Sequence, residues 1–444
     1  MKKILVVSMP FRIGVGGFLR SRNVLPRLAR ILANDGFEVD LYIPANALRT
    51  YVLYHLPSEI RHKSTNDEKT EALVNEIFEH AVNEISILEK ESKYSFTINE
   101  KFMKLNIDYN KKFLQKEIAN KTLSRSYTTV LPVLRPLLIH IYEKRFAERV
   151  KLYFQGHSYG YSMHETPDAI TALATLSSKN AKTAILLQSD LGKKFIEKKT
   201  NLWLLRELSR KTKLAGMLSV SPAPIIETPE ILSISKHVKI LVPGVALGED
   251  IPSAMKEKEP NSVIYYGRLS PEKGIFDLLK AWRIVETKTT DAKLYIAGRF
   301  EDRRTELTFW KYIRKYDLKR INYLGYLNRE RMIEIVSRHY ALAYPSYRDS
   351  FSMVILESLA MGLRIVAYNI PAIRYIYQRS RNIELVPTGN SQLLAQKIIE
   401  NLGKNFEIDS ATAKLLSLYS SWEKVAIEEY NHLNETMFTP LANR

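Results

Sequence analysis

Two cationic side chains lie five residues apart in the stretch Tyr266–Gly274, between an apolar run and a segment with helical periodicity. Arg268 offers a planar guanidinium and Lys273 a compact ammonium, and together they suit a diphosphate better than a single carboxylate. A helix that begins directly after the loop would add backbone amides as donors to the same anion. Taken alone, this spacing is more often a surface turn with solvated charges.

Two acidic side chains lie eight residues apart around the start of another predicted helix. Asp349 follows the apolar run Ala341–Tyr344, and Glu357 lies within the helical stretch Met353–Met361. At such a junction both carboxylates can face one cavity and accept hydrogen bonds from the vicinal hydroxyls of a sugar or a ribose. Helix capping explains Asp349 alone but does not explain Glu357 in a largely apolar helix.

A histidine after a predicted strand is a further candidate. His157 follows the run Lys151–Phe154, which we predict to be a strand, and His164 comes shortly after it. We therefore expect His157 at the cleft-facing edge of its sheet, where ligands of such folds bind. A role in binding the acceptor or sugar and a structural role in the loop are both consistent with this position.

The apolar patterns distribute these candidates over two α/β domains. A buried run at Ile4–Val7, a glycine loop and a helical repeat are typical of a βαβ unit, and the pattern begins again at Val263 after a link near 243–261 that contains proline and glycine. We predict two Rossmann-like, doubly wound parallel sheets facing a central cleft, with domains at 1–245 and 246–425 and a terminal helix at 426–444. A charged, helix-prone segment predicts a helical insertion at about 58–150.

Composition limits the classes of function. The 444 residues include no cysteine, which excludes disulfides and thiolate ligands. A formal net charge of +18 attracts polyanions, but no zinc-finger, RNA-binding or clear helix-turn-helix pattern is present, so nucleic acid is not expected as a partner. The apolar run behind Lys2 and Lys3 ends before Arg12 without a cleavage site, and we expect a cytoplasmic protein.

One basic segment suggests a membrane surface. Residues 121–151 contain seven lysines and arginines with interleaved leucine, isoleucine and tyrosine, a composition that can bind anionic headgroups. An ordinary core helix whose long cationic side chains reach the solvent is the alternative, and it is favoured over the membrane surface.

Five motifs in order over residues 263–399 resemble the GT-B retaining glycosyltransferases of the group-4 type, also called glycosyl transferases group 1. They are VIYYGRLSPEKGIFDLLKAW, LYIAGR, INYLGYLNRERMIEIV, ALAYPSYRDSFSMVILESLAMGLRIVAY and LVPTGNSQLLAQKI. The N-terminal half is similar to the family more loosely, and residues 58–150 show no such similarity.

The resemblance implies a metal-independent hexosyltransferase that needs no cofactor and retains the anomeric configuration. Its donor would be a UDP- or GDP-linked sugar, and its acceptor a glycan, a lipid-linked glycan or another envelope-type molecule. Only if the basic segment 121–151 binds a membrane would the protein reach this acceptor at the inner face of that membrane. Arg268 and Lys273 match the diphosphate-binding pair, and Asp349 and Glu357 match the ends of the E-x7-E motif. Further donor contacts would come from Gly16, Gly17, Gly325, Tyr326, Phe351, Ser352, Met353 and Val354.

The chain departs from the family pattern at three places. The first acid is Asp349, one methylene shorter than glutamate, and Ser350 and Ser352 replace two glycines. Gln188 lies where the family has a histidine, so His157 is taken as a catalytic candidate, with His164 as the other histidine for that place. A sugar-nucleotide epimerase or phosphorylase on the same scaffold stays open as an alternative, and a basic nucleic-acid-binding protein is the third.

Overall fold

The computed structural model describes residues 2–11, 16–57, 68–119, 134–189, 191–192, 195–251 and 257–439. These residues form two compact units. The first comprises the chain up to Val220, Pro224–Val245 and the part that begins at Trp422, and the second comprises Ser221–Ala223 and Ala246–Ser421. Each unit contains one six-stranded parallel sheet, as the sequence predicts.

The first sheet is built from short apolar strands that are largely buried: β1 (Lys2–Val7), β2 (Phe37–Tyr42), β3 (Tyr159–Ser162), β4 (Lys182–Leu187), β5 (Lys213–Ser219) and β6 (Val238–Ile240). Their spatial order is β2-β1-β3-β4-β5-β6. Because the order reverses between β1 and β3, the loops after these two strands open at one point of the carboxyl edge.

Helices accompany these strands: α1 (Gly16–Asn34), α2 (Ala45–His55), α3 (Glu68–Glu91), α4 (Glu100–Ala119), α5 (Arg135–Val150), α6 (Pro167–Leu176), α7 (Phe195–Lys211) and α8 (Ala223–Glu227). The predicted helical insertion corresponds to α3, α4 and α5. Its segments 58–67 and 120–133 lie outside the described residues, so the part of the basic segment 121–151 that the structure describes is 134–151.

The predicted strand at Lys151–Phe154 is wrong. These residues form a 3-10 helix that continues α5, and the next strand, β3, begins only at Tyr159. The alternation of apolar and polar residues over four positions is too short to separate a strand from a helical turn. Here the helix that precedes the segment decides its conformation.

The second sheet contains β7 (Ser262–Tyr266), β8 (Lys293–Ala297), β9 (Ile321–Gly325), β10 (Ala341–Tyr344), β11 (Arg364–Tyr368) and β12 (Ile383–Val386). The order β12-β11-β10-β7-β8-β9 reverses between the neighbours β7 and β10. Both of these strands are buried over their whole length, as expected for central parallel strands covered on two faces. The loops that follow them carry the predicted cationic and acidic residues.

The helices of this part of the chain are α9 (Ile275–Lys288), α10 (Arg303–Lys315), α11 (Arg329–Val336), α12 (Met353–Ala360), α13 (Pro371–Tyr377), α14 (Ser391–Asn401), α15 (Ser410–Leu418) and α16 (Trp422–Leu433). The last of these packs on α1 of the first unit, and a π-helical turn at Asn434–Phe438 follows it. None of the helices that the structure describes is long and apolar enough to cross a membrane.

Candidate functional site

The loops after β7 and β10 touch through their backbones. The Tyr347 amide donates to the Glu272 carbonyl oxygen at 2.9 Å. Gly274 has φ +73°, and a Cβ atom there would lie 1.8 Å from the Pro345 carbonyl oxygen. Glycine is required at 274 for both reasons, because L-residues avoid this region of φ and no side chain fits. The close approach joins the cationic and acidic loops into one site.

The Tyr265 side chain contacts the backbone of the cationic loop that follows β7. Its buried hydroxyl lies 3.0 Å from the carbonyl oxygen of Arg268 and 3.4 Å from that of Lys273. The Arg268 side chain is about half exposed, and its guanidinium lies 3.7 Å from a carboxylate oxygen of Glu301. The loop is therefore anchored through its backbone, while the Arg268 side chain keeps the freedom of a surface residue.

Lys273 and Asp349 form the ion pair at the centre of the site. The Lys273 ammonium lies 2.9 Å from Asp349 Oδ2 and donates to the Arg348 carbonyl oxygen at 3.0 Å. The hydroxyl of Tyr344, the last residue of β10, donates to the same Oδ2 atom. Burial raises the pKa of the Asp349 carboxyl, but Lys273 and Tyr344 outweigh burial and hold that pKa below its ordinary value. Asp349 is therefore a carboxylate at neutral pH.

Glu357 pairs with a residue that the motif analysis did not select. Arg329, the first residue of α11, donates from Nη1 to Glu357 Oε1 at 2.6 Å. Its other nitrogens contact both carboxylate oxygens of Asp250 at 2.7 and 3.0 Å. Burial raises the pKa of the Glu357 carboxyl, and Arg329 opposes that shift without cancelling it. Arg329 lies inside the motif INYLGYLNRERMIEIV, but nothing in that motif indicates a contact with Glu357, and Asp250 lies outside all five motifs.

At one of the two positions where the family has glycine, the loop between the two acids keeps the backbone conformation that glycine favours. Ser352 has φ +67° immediately before α12, although it carries a side chain. The Tyr377 hydroxyl donates to its carbonyl oxygen at 3.1 Å. Phe351 is buried, with its ring centroid 5.0 Å from that of Tyr419. Met353 begins the helix, so its amide lies among those that no helical carbonyl can accept.

Gly325 and Tyr326 lie at the carboxyl end of β9. Gly325 has φ +69°, and a Cβ atom there would meet open space. The Tyr326 side chain is more than half exposed, and the Arg299 guanidinium lies over its ring at 4.1 Å from the centroid. An aromatic ring under a guanidinium at a strand end offers a flat stacking surface, as a nucleobase would require.

The first unit brings Gly17 and His164 to the point where its strand order reverses. A Cβ atom on Gly17 would lie 3.0 Å from Gln188 Oε1. His164 Nε2 lies 2.8 Å from the Ser21 hydroxyl, and burial together with Arg20 lowers the pKa of His164 to about 3. Gly16 is the first residue of α1. His164 is therefore a neutral, hydrogen-bonded group at the carboxyl edge.

The predicted position of His157 is wrong. It precedes β3, at the amino edge of the sheet, because the strand predicted before it is a 3-10 helix. Its Nε2 atom lies 2.8 Å from Asp40 Oδ2, and its Nδ1 atom lies 3.2 Å from the Phe154 carbonyl oxygen. Both nitrogens thus have protein partners, and His164 rather than His157 occupies the carboxyl edge.

The comparisons with known proteins concern the family and the fold. Residues 248–413 match the family described as glycosyl transferases group 1, which confirms the resemblance predicted from the motifs. The fold is the GT-B fold. A solved structure from Anabaena, Alr3699/HepE in complex with UDP, is similar over 98% of this chain and 100% of that chain, with a TM-score of 0.60 and 15% identity.

Two curated proteins are similar over shorter stretches. The uncharacterized glycosyltransferase YqgM of Bacillus subtilis is 30% identical over 136 residues, 29% of this chain and 36% of that protein. The O-antigen chain mannosyltransferase B of Escherichia coli is 23% identical over 172 residues, 38% of this chain and 44% of that protein. The chain therefore spans less than half the length of either relative in these matches.

Proposed function

We propose that this protein is a retaining glycosyltransferase that moves a hexose-type sugar from a UDP- or GDP-linked donor to an envelope-type acceptor. The observation that carries the proposal is the contact between the two loops at the strand reversal of the second sheet. It places Lys273 beside Asp349 at the edge where ligands of parallel sheets bind.

In this proposal Lys273 and Arg268 stabilise the leaving group. Negative charge grows on the nucleoside diphosphate as the bond from the sugar breaks, and fixed cations lower the energy of that state. Lys273 is held by three oxygen atoms of the site, among them Asp349 Oδ2 at 2.9 Å. These two side chains supply the positive charge, so the proposed transfer is metal-independent and needs no cofactor.

Most of the remaining contacts proposed for the donor come from residues at or after the carboxyl ends of strands β9 and β10. Glu357 would accept hydrogen bonds from the ribose, and Tyr326 would border the base beside Gly325. The amides of Phe351, Met353 and Val354 precede or begin α12, and such amides are suited to an anion or to sugar hydroxyls. The Ser352 amide donates to Asp349 Oδ1 at 3.2 Å and so orders the loop between the two acids. For Gly16 and Gly17, a contact with the donor rests on the family resemblance alone.

We further infer that the acceptor is a glycan, a glycolipid or another envelope-type molecule. The name of the E. coli relative, O-antigen chain mannosyltransferase B, supports this class of acceptor. The carboxyl edge of the first sheet offers polar groups for its hydroxyls. Glu165 accepts from the Gln188 amide at 2.8 Å and from the Ser189 hydroxyl, so its carboxylate is held in a fixed position.

The first unit also presents a surface suited to an anionic membrane. Helices α5 and α7 meet where the His140 ring lies edge-on to Trp203, with 5.4 Å between the ring centroids. The exposed apolar side chains of α5, of the 3-10 turn after it and of α7 include Leu137, Ile141, Leu152 and Trp203. Exposed cations accompany them, at Lys144, Arg145, Lys151, Arg206 and Arg210. Apolar and cationic groups on one face are what a headgroup region binds, and the protein would work at the inner face of the membrane.

A flotation assay tests the membrane surface. The protein should float with vesicles that contain phosphatidylglycerol and stay behind with vesicles of phosphatidylcholine alone. The double substitution Ile141→Ser/Trp203→Ser should abolish flotation, whereas Leu307→Ser, an exposed apolar position on α10, should not change it. Equal flotation of both variants would contradict this location of the surface.

Donor binding and turnover test the activity. Among nucleotide sugars screened by thermal shift, a UDP- or GDP-linked hexose should raise the melting temperature, and incubation should then release the nucleoside diphosphate. Proton NMR of the product should show the anomeric configuration of the donor. Formation of an epimer without nucleoside diphosphate would instead favour an epimerase. Formation of sugar 1-phosphate from a glycan and added inorganic phosphate would favour a phosphorylase.

A further inference from the structure

One carboxylate oxygen of Glu357 accepts a hydrogen bond from the protein, and the other accepts none from the described residues. Oε1 accepts from Arg329 Nη1 at 2.6 Å, and within the described part of the chain no hydrogen bond reaches Oε2. The Glu357 side chain is only 6% exposed, so its orientation is set by this contact. A carboxylate clamped through one oxygen can direct the other towards a ligand hydroxyl.

Asp250 in turn fixes the guanidinium of Arg329. Arg329 Nε and Nη2 contact the two oxygens of Asp250 at 2.7 and 3.0 Å. This two-point contact sets the plane of the guanidinium and leaves Nη1 for Glu357. Gly248 provides the room, because a Cβ atom there would lie 2.2 Å from Asp250 Oδ1.

Arg329 also opposes protonation of Glu357. A buried carboxyl without a cation would take up a proton, and a neutral carboxyl accepts hydrogen bonds more weakly than a carboxylate. Lysine could neutralise Glu357 but could not hold Asp250 at two points and Glu357 at a third. The arrangement thus requires arginine for geometry as well as for charge.

We propose that Arg329, held by Asp250, is a positioning residue that orients Glu357 towards the ribose hydroxyls of a nucleoside diphosphate. The inference rests on the proposed function, since it assumes that Glu357 faces the donor ribose. It extends the donor site to two residues that lie outside the E-x7-E motif.

The test compares UDP and GDP with their 2′,3′-dideoxy forms by calorimetry. In the natural protein UDP or GDP should bind about 10- to 100-fold more tightly than its dideoxy form, the range for hydrogen bonds to a charged group. We call this quotient of the two affinities the ribose ratio. Arg329→Gln and Arg329→Lys should each reduce the ribose ratio to less than about three. Inorganic diphosphate, which has no ribose, should bind both variants as it binds the natural protein.

Arg331→Gln is the matched control, because Arg331 lies on the same helix, is exposed and pairs with Glu334. This variant should keep the ribose ratio of the natural protein. Adding Arg329→Gln to Glu357→Gln should cause no further loss, since both changes act through one carboxylate. If Arg329→Gln does not fold, as judged by circular dichroism, Asp250→Asn gives the same test.

If folded Arg329→Gln or Asp250→Asn kept the ribose ratio of the natural protein, the inference would be overturned. Failure of the proposed function would look different. In that case neither UDP nor GDP would bind the natural protein, and Lys273→Ala would leave the binding of inorganic diphosphate unchanged.

Discussion

Lys273 and Asp349 neutralise each other, so a diphosphate would share the ammonium with a carboxylate of the protein. Asp349→Asn removes that competitor, and we expect the affinity for UDP or GDP to rise up to about tenfold while turnover falls. Lys273→Ala removes the cation and leaves Asp349 unpaired, so affinity should fall more than about tenfold. Calorimetry measures both changes.

The control for this pair is Lys280→Ala, which removes a cation that is paired with Asp277 on α9. Diphosphate affinity should change less than about twofold. A weaker affinity in Asp349→Asn than in the natural protein would contradict competition and would indicate that Asp349 itself contacts the donor.

Ser352 occupies a backbone conformation that favours glycine. Its φ is +67°, and this region costs a residue with a side chain about 1–2 kcal/mol. Ser352→Gly relieves that cost but makes the unfolded chain more flexible, so the free energy of unfolding should rise by up to about 1 kcal/mol. Urea denaturation measures the change.

Ser350→Gly serves as the comparison, because Ser350 does not have a positive φ. It should lower the free energy of unfolding by about 0.5–1 kcal/mol through the added flexibility of the unfolded chain alone. If both substitutions lowered the free energy of unfolding, relief of the backbone strain at 352 would not outweigh the added flexibility of the unfolded chain.

At the scale of elements, α5 is tied to α2 and β2 through one buried acid. Glu143 accepts from the Tyr42 hydroxyl at 2.7 Å and from the Asn46 amide at 3.1 Å. Burial, with Asp168 nearby, raises the pKa of Glu143 to about 8. The folded chain therefore keeps a proton here that the unfolded chain releases above about pH 4.5.

It follows that Glu143 makes the first unit less stable as the pH rises from about 4.5 to 8. Glu143→Gln can still accept from the Asn46 amide through Oε1 and can donate from Nε2 to the Tyr42 hydroxyl, and it has no titrating proton. The stability of this variant should therefore depend less on pH and exceed that of the natural protein at pH 8. Thermal unfolding at pH 5.5 and 8 measures this. Glu148→Gln, at an exposed position of the same helix, should retain the natural pH dependence.

At the scale of the molecule, the chain returns to its first unit through α16. Glu429 of that helix accepts from Arg20 on α1 and, at 2.8 Å, from the Tyr161 hydroxyl, and all of these groups are buried. Arg20 also donates to the Gly244 carbonyl oxygen at 2.7 Å. A buried ion pair thus joins sequence positions 409 residues apart.

Breaking this pair should be costly. Arg20→Met and Glu429→Gln should each lower the free energy of unfolding of the first unit by about 3–5 kcal/mol, because each leaves a buried group uncompensated. The double variant Arg20→Met/Glu429→Leu should lose less than either single variant. Urea denaturation followed by a probe in the first unit measures these values.

An exposed pair on the same two helices provides the control. Arg30 and Glu423 lie 3.3 Å apart and are partly exposed, so Arg30→Met should cost less than about 1 kcal/mol. Similar losses at both pairs would show that burial is not what makes the Arg20–Glu429 contact important.

Local sequence patterns were sufficient to predict the two parallel sheets and to locate the loops that carry the candidate site. Buried β-branched and aromatic runs such as Val263–Tyr266 alternate with helical repeats, and this alternation determines the fold class. The resemblance of the motifs to the family, rather than a local pattern, assigned Lys273 and Asp349 to one donor site. The four-residue run at 151–154 was the exception, because its conformation depends on the helix before it, and His157 was misplaced with it.

By itself, the sequence determined the fold class, the motif order and which charged residues follow strands, because these depend on neighbours along the chain. Only the tertiary structure decided which charges meet. Asp250, Arg329 and Glu357 come together from three separate segments, and Arg20 meets Glu429 across most of the chain. Contacts of this kind depend on burial and on the packing of distant elements, and no local spacing encodes them.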